Sequence, residues 1–129
     1  MSILNLVERE FGRSPSKMRI ITLLIRHGLS VKIDPEKNRP EAYLGDLRIP
    51  YSSIAKATST DWRTVRDTLE RIRENSVLRE FFEKLENAGL FLRQVTSLLG
   101  QRCVVVETFH DEPGILAYVS NLLAEKGIN

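Results

Sequence analysis

Arginine crowds one stretch of this chain. Between Tyr51 and Arg73, YSSIAKATSTDWRTVRDTLERIR, it recurs at Arg63, Arg66, Arg71 and Arg73. A guanidinium is planar, permanently charged and donates as a fork, a shape that fits a phosphate or the acceptor edge of guanine. With the cations Arg48 and Lys56 just upstream, the residues able to touch double-stranded DNA are Arg48, Lys56, Thr60, Asp61, Arg63, Thr64, Arg66 and Asp67. A second set lies in His110-Asp111-Glu112-Pro113-Gly114-Ile115. There Asp111 can accept from an ammonium group and Gly114 lets a ligand approach the backbone. The N–H groups that open the following helix favour a carboxylate.

Catalysis finds little support. His110 stands beside Asp111, but no Ser or Cys nucleophile and no metal-ligand cluster has a recognisable spacing with it. His27 sits before Gly28 at a helix end, where it complements the dipole. The single cysteine, Cys103, lies among valines as a packing residue, and its solitude excludes an intrachain disulfide and a cysteine-based zinc site. No Gly-rich phosphate loop is present. The expectation is a protein that is not an enzyme and needs no cofactor, in a reducing cytoplasm.

The elements that must position these residues can be read in order. Apolar residues at helical spacing predict a helix from Ser2 to Phe11. Ser14-Pro15 is an N-cap followed by proline at the first helical position, and that helix runs to about His27, where Gly28 stops it. Leu29 to Asp34 alternates Leu29, Val31 and Ile33 with polar residues, a strand with one buried face. Turn-rich PEKNRP follows. Two short strands at 42–44 and 47–49 then complete an antiparallel meander carrying Lys32, Lys37, Arg39 and Arg48 on or near it. Helices are expected over Tyr51–Ala57, Asp61–Glu74, Val77–Asn87 and Phe91–Leu99, a strand over Arg102–Phe109, and a last helix over Gly114–Lys126. The fold class is therefore α+β, mainly α, with one domain over residues 1–100 and another over 101–129.

Ile54-Ala55-Lys56-Ala57 followed by Trp62-Arg63-Thr64-Val65 and Leu69 resembles the helix–turn–helix of transcription regulators. Ala55 must be small where the helices cross, while Val65, Leu69 and Ile72 at i, i+4 and i+7 define the inward face of the second helix. Its outward face carries Arg63, Thr64, Arg66, Asp67, Glu70 and Arg71, with Asp61 as cap if Thr60 closes the turn. The turn Thr58-Ser59-Thr60 departs from the pattern, which usually has a glycine where the backbone turns left-handed. Asp61, Asp67, Glu70 and Glu74 match the four arginines in number, so one copy should bind modestly, and a homodimer reading two half-sites is the remedy. Trp62 is either a packing residue on the N-terminal helix or an exposed backbone contact, with packing preferred. A structural helix pair whose arginines form i, i+4 pairs on a solvated face is the competing reading.

The strand, DEPGIL loop, helix and final Gly127-Ile128-Asn129 resemble the opening of an ACT domain, a small βαββαβ module that senses amino acids. The resemblance implies an amino-acid effector held near Asp111, Glu112, Gly114, Ile115 and Asn129, usually between two such domains. The bland alternative is a strand–turn–helix in which Asp111 is only a cap while Ile115 and Leu116 pack inward. An ACT module takes about twice the 28 residues from Arg102 to Asn129, so the stretch is expected to continue elsewhere or to pair with another chain. In combination the order is similar to archaeal regulators of amino-acid metabolism with an N-terminal helix–turn–helix and a C-terminal ACT domain. That resemblance also rests on SPSKMRIITLLIRHGLSV, LGDLRIPYSSIAKA and RQVTSLLG. The alternative function is an amino-acid-binding or protein-interaction module without DNA binding.

Bulk properties permit these readings without forcing them. The 129 residues suffice for one good core or two small ones, and 42% hydrophobic with 28% charged is ordinary for a globular chain. Residues 1–75 hold 14 Lys/Arg against 10 Asp/Glu, and residues 76–129 hold 5 against 7, a basic front and an acidic back. No signal peptide and no 18-residue apolar run is evident, so no membrane is expected.

Overall fold

The computed structural model describes residues 2–87, 96–102, 104, 106, 108, 110 and 112–128. The chain divides into two compact units, Met1–Leu90 and Phe91–Asn129. The architecture is α+β and mainly α, with six α-helices and one three-stranded antiparallel sheet among the described residues.

The first unit holds helices α1 (Ile3–Phe11), α2 (Pro15–His27), α3 (Tyr51–Thr58), α4 (Trp62–Glu74) and α5 (Ser76–Lys84), and strands β1 (Ser30–Asp34), β2 (Arg39–Leu44) and β3 (Leu47–Ile49). Local signals placed α2 well. Ser14 Oγ accepts from the Lys17 amide, Pro15 opens the helix, and Gly28 closes it in the left-handed conformation at φ 64°. Every element of this unit except β3 sends buried side chains into one core, built from Leu6, Val7 and Phe11 through Ile20, Ile21, Leu24, Val31 and Ala42 to Leu78 and Phe82. α4 lies at its centre, packed on α2, α3, α5 and β2.

The sheet order is β1-β2-β3, with Ile33 opposite Pro40 and Tyr43 opposite Arg48. β2 begins earlier than its apolar residues suggest and contains Pro40. A proline in a central strand would normally remove a ladder bond. Here β3 pairs only with residues 42–44, so it has ended before Pro40, and the Pro40 carbonyl on that side accepts the Tyr51 hydroxyl instead. The expected alternation of β1 fails at both ends: Ser30 is buried between Leu29 and Val31, whereas Ile33 stays 37% exposed at the rim of the core, beside Arg73 and Arg79.

α5 stops at Lys84, short of the expected Asn87, because Leu85 turns extended. That turn brings residues 86 and 87 onto the end of α2, where Asn87 Nδ2 donates to the His27 carbonyl at 3.1 Å. In the second unit Thr96–Leu99 forms a 3-10 turn rather than the end of an α-helix, closed by the Gly100 and Gln101 amides. Residues 91–95 of the expected helix lie outside the described residues. So do Cys103, Val105, Glu107 and Phe109 of the expected strand, and the Cys103 packing role with them. The last helix, α6, spans Ile115–Glu125. No described residue of the second unit is buried.

Candidate nucleic-acid interface

α3 and α4 are joined by three residues, Ser59-Thr60-Asp61. Ser59 takes the left-handed conformation that a glycine usually fills, at φ 54° and ψ 44°. The cost is met locally. The Thr60 amide donates to the Ala55 carbonyl at 2.9 Å, a Schellman-type closure. Thr58 Oγ1 donates back to the Ile54 carbonyl at 2.7 Å and lies 2.9 Å from Thr60 Oγ1. Arg19 of α2 donates through Nε to the Thr58 carbonyl at 2.9 Å. These bonds pin the turn from both sides, so a serine serves where the pattern has glycine.

Asp61 caps α4. Its Oδ1 accepts the Thr64 amide at 2.9 Å and the Thr64 hydroxyl at 3.2 Å. The Thr64 amide bond is the main reason the Asp61 carboxyl is held below its ordinary range. Behind the cap the inward face is closed, with Val65, Thr68, Leu69 and Ile72 fully or almost fully buried against Ile54 and Ala55. Thr68 satisfies its hydroxyl on the Thr64 carbonyl at 2.7 Å.

The outward face carries Arg63, Arg66, Asp67 and Arg71 exposed, with Thr64 and Glu70 half-buried. Trp62 corrects the sequence reading. It is not packed in the core: half its surface (50%) faces solvent. The guanidiniums of Arg63 and Arg66 lie over its ring at 5.6 and 5.2 Å. The acids that matched the arginines by count are unevenly placed. Asp67 pairs with Arg66 at 3.2 Å and Glu70 with Arg73 at 3.8 Å, while Glu10 of α1 takes Arg71 at 3.2 Å. Arg73 also donates to the Asn38 carbonyl and Oδ1, both at 3.0 Å. Arg63 and Lys56 have no ion pair among the described residues. The C-terminal half of α4 is therefore tied to the body, and the first turn keeps Arg63, without an ion pair among the described residues, over an exposed indole.

Of the eight residues expected at the interface, Lys56, Arg63 and Arg66 are exposed at the α3–α4 end, with Asp67 bound to Arg66. Asp61, Thr64 and Thr60 are engaged in building the cap and the turn. Arg48 stands apart on β3, 3.7 Å from Glu41. Sequence reasoning missed Glu41, which is completely buried on β2. Its Oε1 accepts Arg39 Nε at 2.7 Å, and its Oε2 has no hydrogen-bond donor. Arg39 lies 5.2 Å over the Tyr51 ring. Burial, reinforced by the Glu41 charge, pushes the Tyr51 hydroxyl up to about 12. The available signal was charge of opposite sign on one strand face: Arg39 and Glu41 two residues apart, with Arg48 across the hairpin.

In the second unit, Gly114 is left-handed at φ 96° and precedes α6 with no side-chain cap. Glu112 is exposed and Ile115 half-buried. Asp111 and Asn129, the other two expected ligand contacts, lie outside the described residues. Among the described residues no group of acidic, histidine or cysteine side chains could hold a metal, and no helix is long and apolar enough to cross a membrane. No family model, curated protein or solved structure matches the chain.

Proposed function

We propose that this protein binds duplex DNA through α4 as a cytoplasmic transcription regulator acting as a homodimer. The observation that carries this reading is the exposed first turn of α4. Trp62, Arg63 and Arg66 stand on a helix whose opposite face is fully buried and whose entry turn is fixed by Ser59 and Asp61. A helix entering a major groove uses an arginine fork for base edges or phosphate and an indole against the backbone. The second unit would supply the signal: the start of α6 behind Gly114, which has no side-chain cap among the described residues, suits the carboxylate of an amino-acid effector.

Anisotropy titration of a labelled duplex over a salt series tests the reading. Wild type is expected to bind with an affinity that falls steeply with salt. Each arginine that touches a phosphate adds about 0.9 to the slope of log K against log salt, so the double variant Arg63→Ala, Arg66→Ala should lower that slope by about 2. Absence of salt-dependent binding by wild type, or an unchanged slope in the variant, refutes it and favours a protein-interaction module. For the second unit, calorimetry with the twenty amino acids is the measurement, and absence of heat removes the effector role.

A further inference from the structure

A buried carboxylate is costly unless it is paired and hydrogen-bonded, and an apolar side chain of similar volume usually serves stability better. Glu41 is therefore conspicuous. It is 0% exposed, one oxygen holds Arg39 at 2.7 Å, and the other has no hydrogen-bond donor although Arg48 lies 3.7 Å away. The two arginines are the reverse of buried, with 44% and 43% of their side chains exposed. Each spends only part of its guanidinium inward. Arg39 gives Glu41 its Nε and leaves both terminal nitrogens for an outside acceptor. Arg39 is held from a second direction by the Tyr51 ring, which is itself locked by the hydroxyl's bond to the Pro40 carbonyl. Arg48 reaches the same carboxylate diagonally across the β2–β3 pair, since its register partner is Tyr43.

The pair borders the α4 face. α4 packs on β2, Arg73 of α4 bonds Asn38 in the turn before β2, and the Tyr51 hydroxyl lies within electrostatic reach of Arg39, Glu41, Arg66 and Glu70 together. One inward carboxylate thus orients two outward guanidiniums on the sheet, which meets α4 nearest its C-terminal turn. Guanidiniums fixed before an anion arrives lose less rotamer entropy on binding than free ones do.

We propose that Glu41 is a positioning residue that holds Arg39 and Arg48 as a two-guanidinium clamp for the phosphate backbone of duplex DNA. The clamp rests on the duplex-binding reading above and adds to it a second contact surface, on the sheet. It also makes a prediction of unusual sign. Glu41→Gln removes a negative charge, so a purely electrostatic account expects tighter binding. The clamp loses its anchor and binds more weakly.

The test is the same salt-series titration on the full chain with a labelled mixed-sequence duplex, each variant checked for folding by circular dichroism. Arg39→Ala and Arg48→Ala should each lower the salt slope by about 0.9. Lys84→Ala, a charge-matched change on α5, should leave it as in wild type. Glu41→Gln should bind about tenfold more weakly than wild type, the scale of one charge-assisted contact. Tighter binding by Glu41→Gln overturns the clamp. If Glu41→Gln does not fold, Arg39→Lys with Arg48→Lys keeps both charges but loses the forks, and wild-type affinity in that variant overturns the clamp. Slopes unchanged by Arg39→Ala and Arg48→Ala, in a protein that binds and depends on Arg63 and Arg66, overturn the clamp alone. No salt-dependent binding by wild type overturns both readings.

Discussion

Gly28 and Gly45 offer a matched experiment on how the segment after α5 is held against the end of α2. Both glycines are left-handed, at φ 64° and 59°. They differ in their neighbours. A Cβ on Gly45 would meet nothing within 4 Å, whereas a Cβ on Gly28 would lie 2.5 Å from the Glu86 carbonyl oxygen and 2.6 Å from Asn87 N and Cα. Alanine at either site carries the left-handed penalty of about 1–2 kcal/mol, partly offset by about 0.4–1 kcal/mol of lost freedom in the unfolded chain. Gly45→Ala should therefore destabilise by roughly 1 kcal/mol. At Gly28 the obstructing atoms are backbone, so the 86–87 segment must retreat by nearly an ångström. Overpacking of that kind costs about 1–3 kcal/mol. The retreat also strains the Asn87 bond to the His27 carbonyl, 3.1 Å at present, worth about 1 kcal/mol. Gly28→Ala is expected to lose about 3–5 kcal/mol in total. Urea unfolding followed by circular dichroism measures both variants under one set of conditions. A difference below about 1 kcal/mol would refute the claim that residues 86 and 87 are packed on the end of α2, since the shared φ penalty cancels between the two.

Three further outcomes follow from the site. Ser59→Gly should stabilise the protein by roughly 0.5 kcal/mol in thermal or urea unfolding, because glycine accepts the left-handed turn without the steric cost while giving back some unfolded-state entropy. Tyr51 is easier to keep neutral when folded, so its contribution is complete below pH 10 and is lost as pH rises from 10 towards about 12. Tyr51→Phe should unfold with a visibly flatter pH dependence in that window, and identical profiles would contradict the buried hydroxyl. The depressed Asp61 carboxyl works in the opposite sense. Its stabilisation is present above the ordinary value of 3.8 and is lost as pH falls through the lower folded value. Asp61→Asn, which keeps a capping oxygen without the charge, should weaken the acid dependence of unfolding below pH 4, and an unchanged acid limb would contradict the cap.

Local signals were the legible ones. Ser14, Pro15 and Gly28 specify the start and end of α2 by chemistry that involves no distant partner, and all three sit where the sequence puts them. The inward face of α4 was readable because Val65, Leu69 and Ile72 follow the helical period. What resisted reading depends on neighbours far away in sequence. Trp62 is large and apolar, and only its place on the outer side of the first turn of α4 leaves it half exposed with Arg63 and Arg66 over its ring. Glu41 lies just before the strand expected at 42–44, and only the extension of β2 back to Arg39, with α3 placing Tyr51 nearby, accounts for its burial. The early end of α5 leaves residues 86 and 87 against Gly28, more than fifty residues upstream, a contact that no local signal announces.

Charge that cancels by count does not cancel by position, and this governs how the helix pair would work. Spread evenly, the acids of α4 would leave every arginine half neutralised and the helix a poor ligand for a polyanion. Instead Glu10, Glu70 and Asn38 engage Arg71 and Arg73, fixing the C-terminal half of α4 to α1 and to the β1–β2 turn. Asp67 holds Arg66 beside Trp62, and Arg63 and Lys56 are left without an ion pair among the described residues. The same division recurs on the sheet, where Glu41 is spent inward and Arg39 and Arg48 are left facing out. Together these surfaces offer five outward cations, Arg39, Arg48, Lys56, Arg63 and Arg66. If each met one phosphate, a single copy would show a salt slope of about −4.5, and two copies on two half-sites about twice that. The slope therefore reports the number of copies on the duplex as well as the number of phosphates each one touches. A slope near twice the single-copy value would support the proposed homodimer, and a slope near −4.5 would count against it.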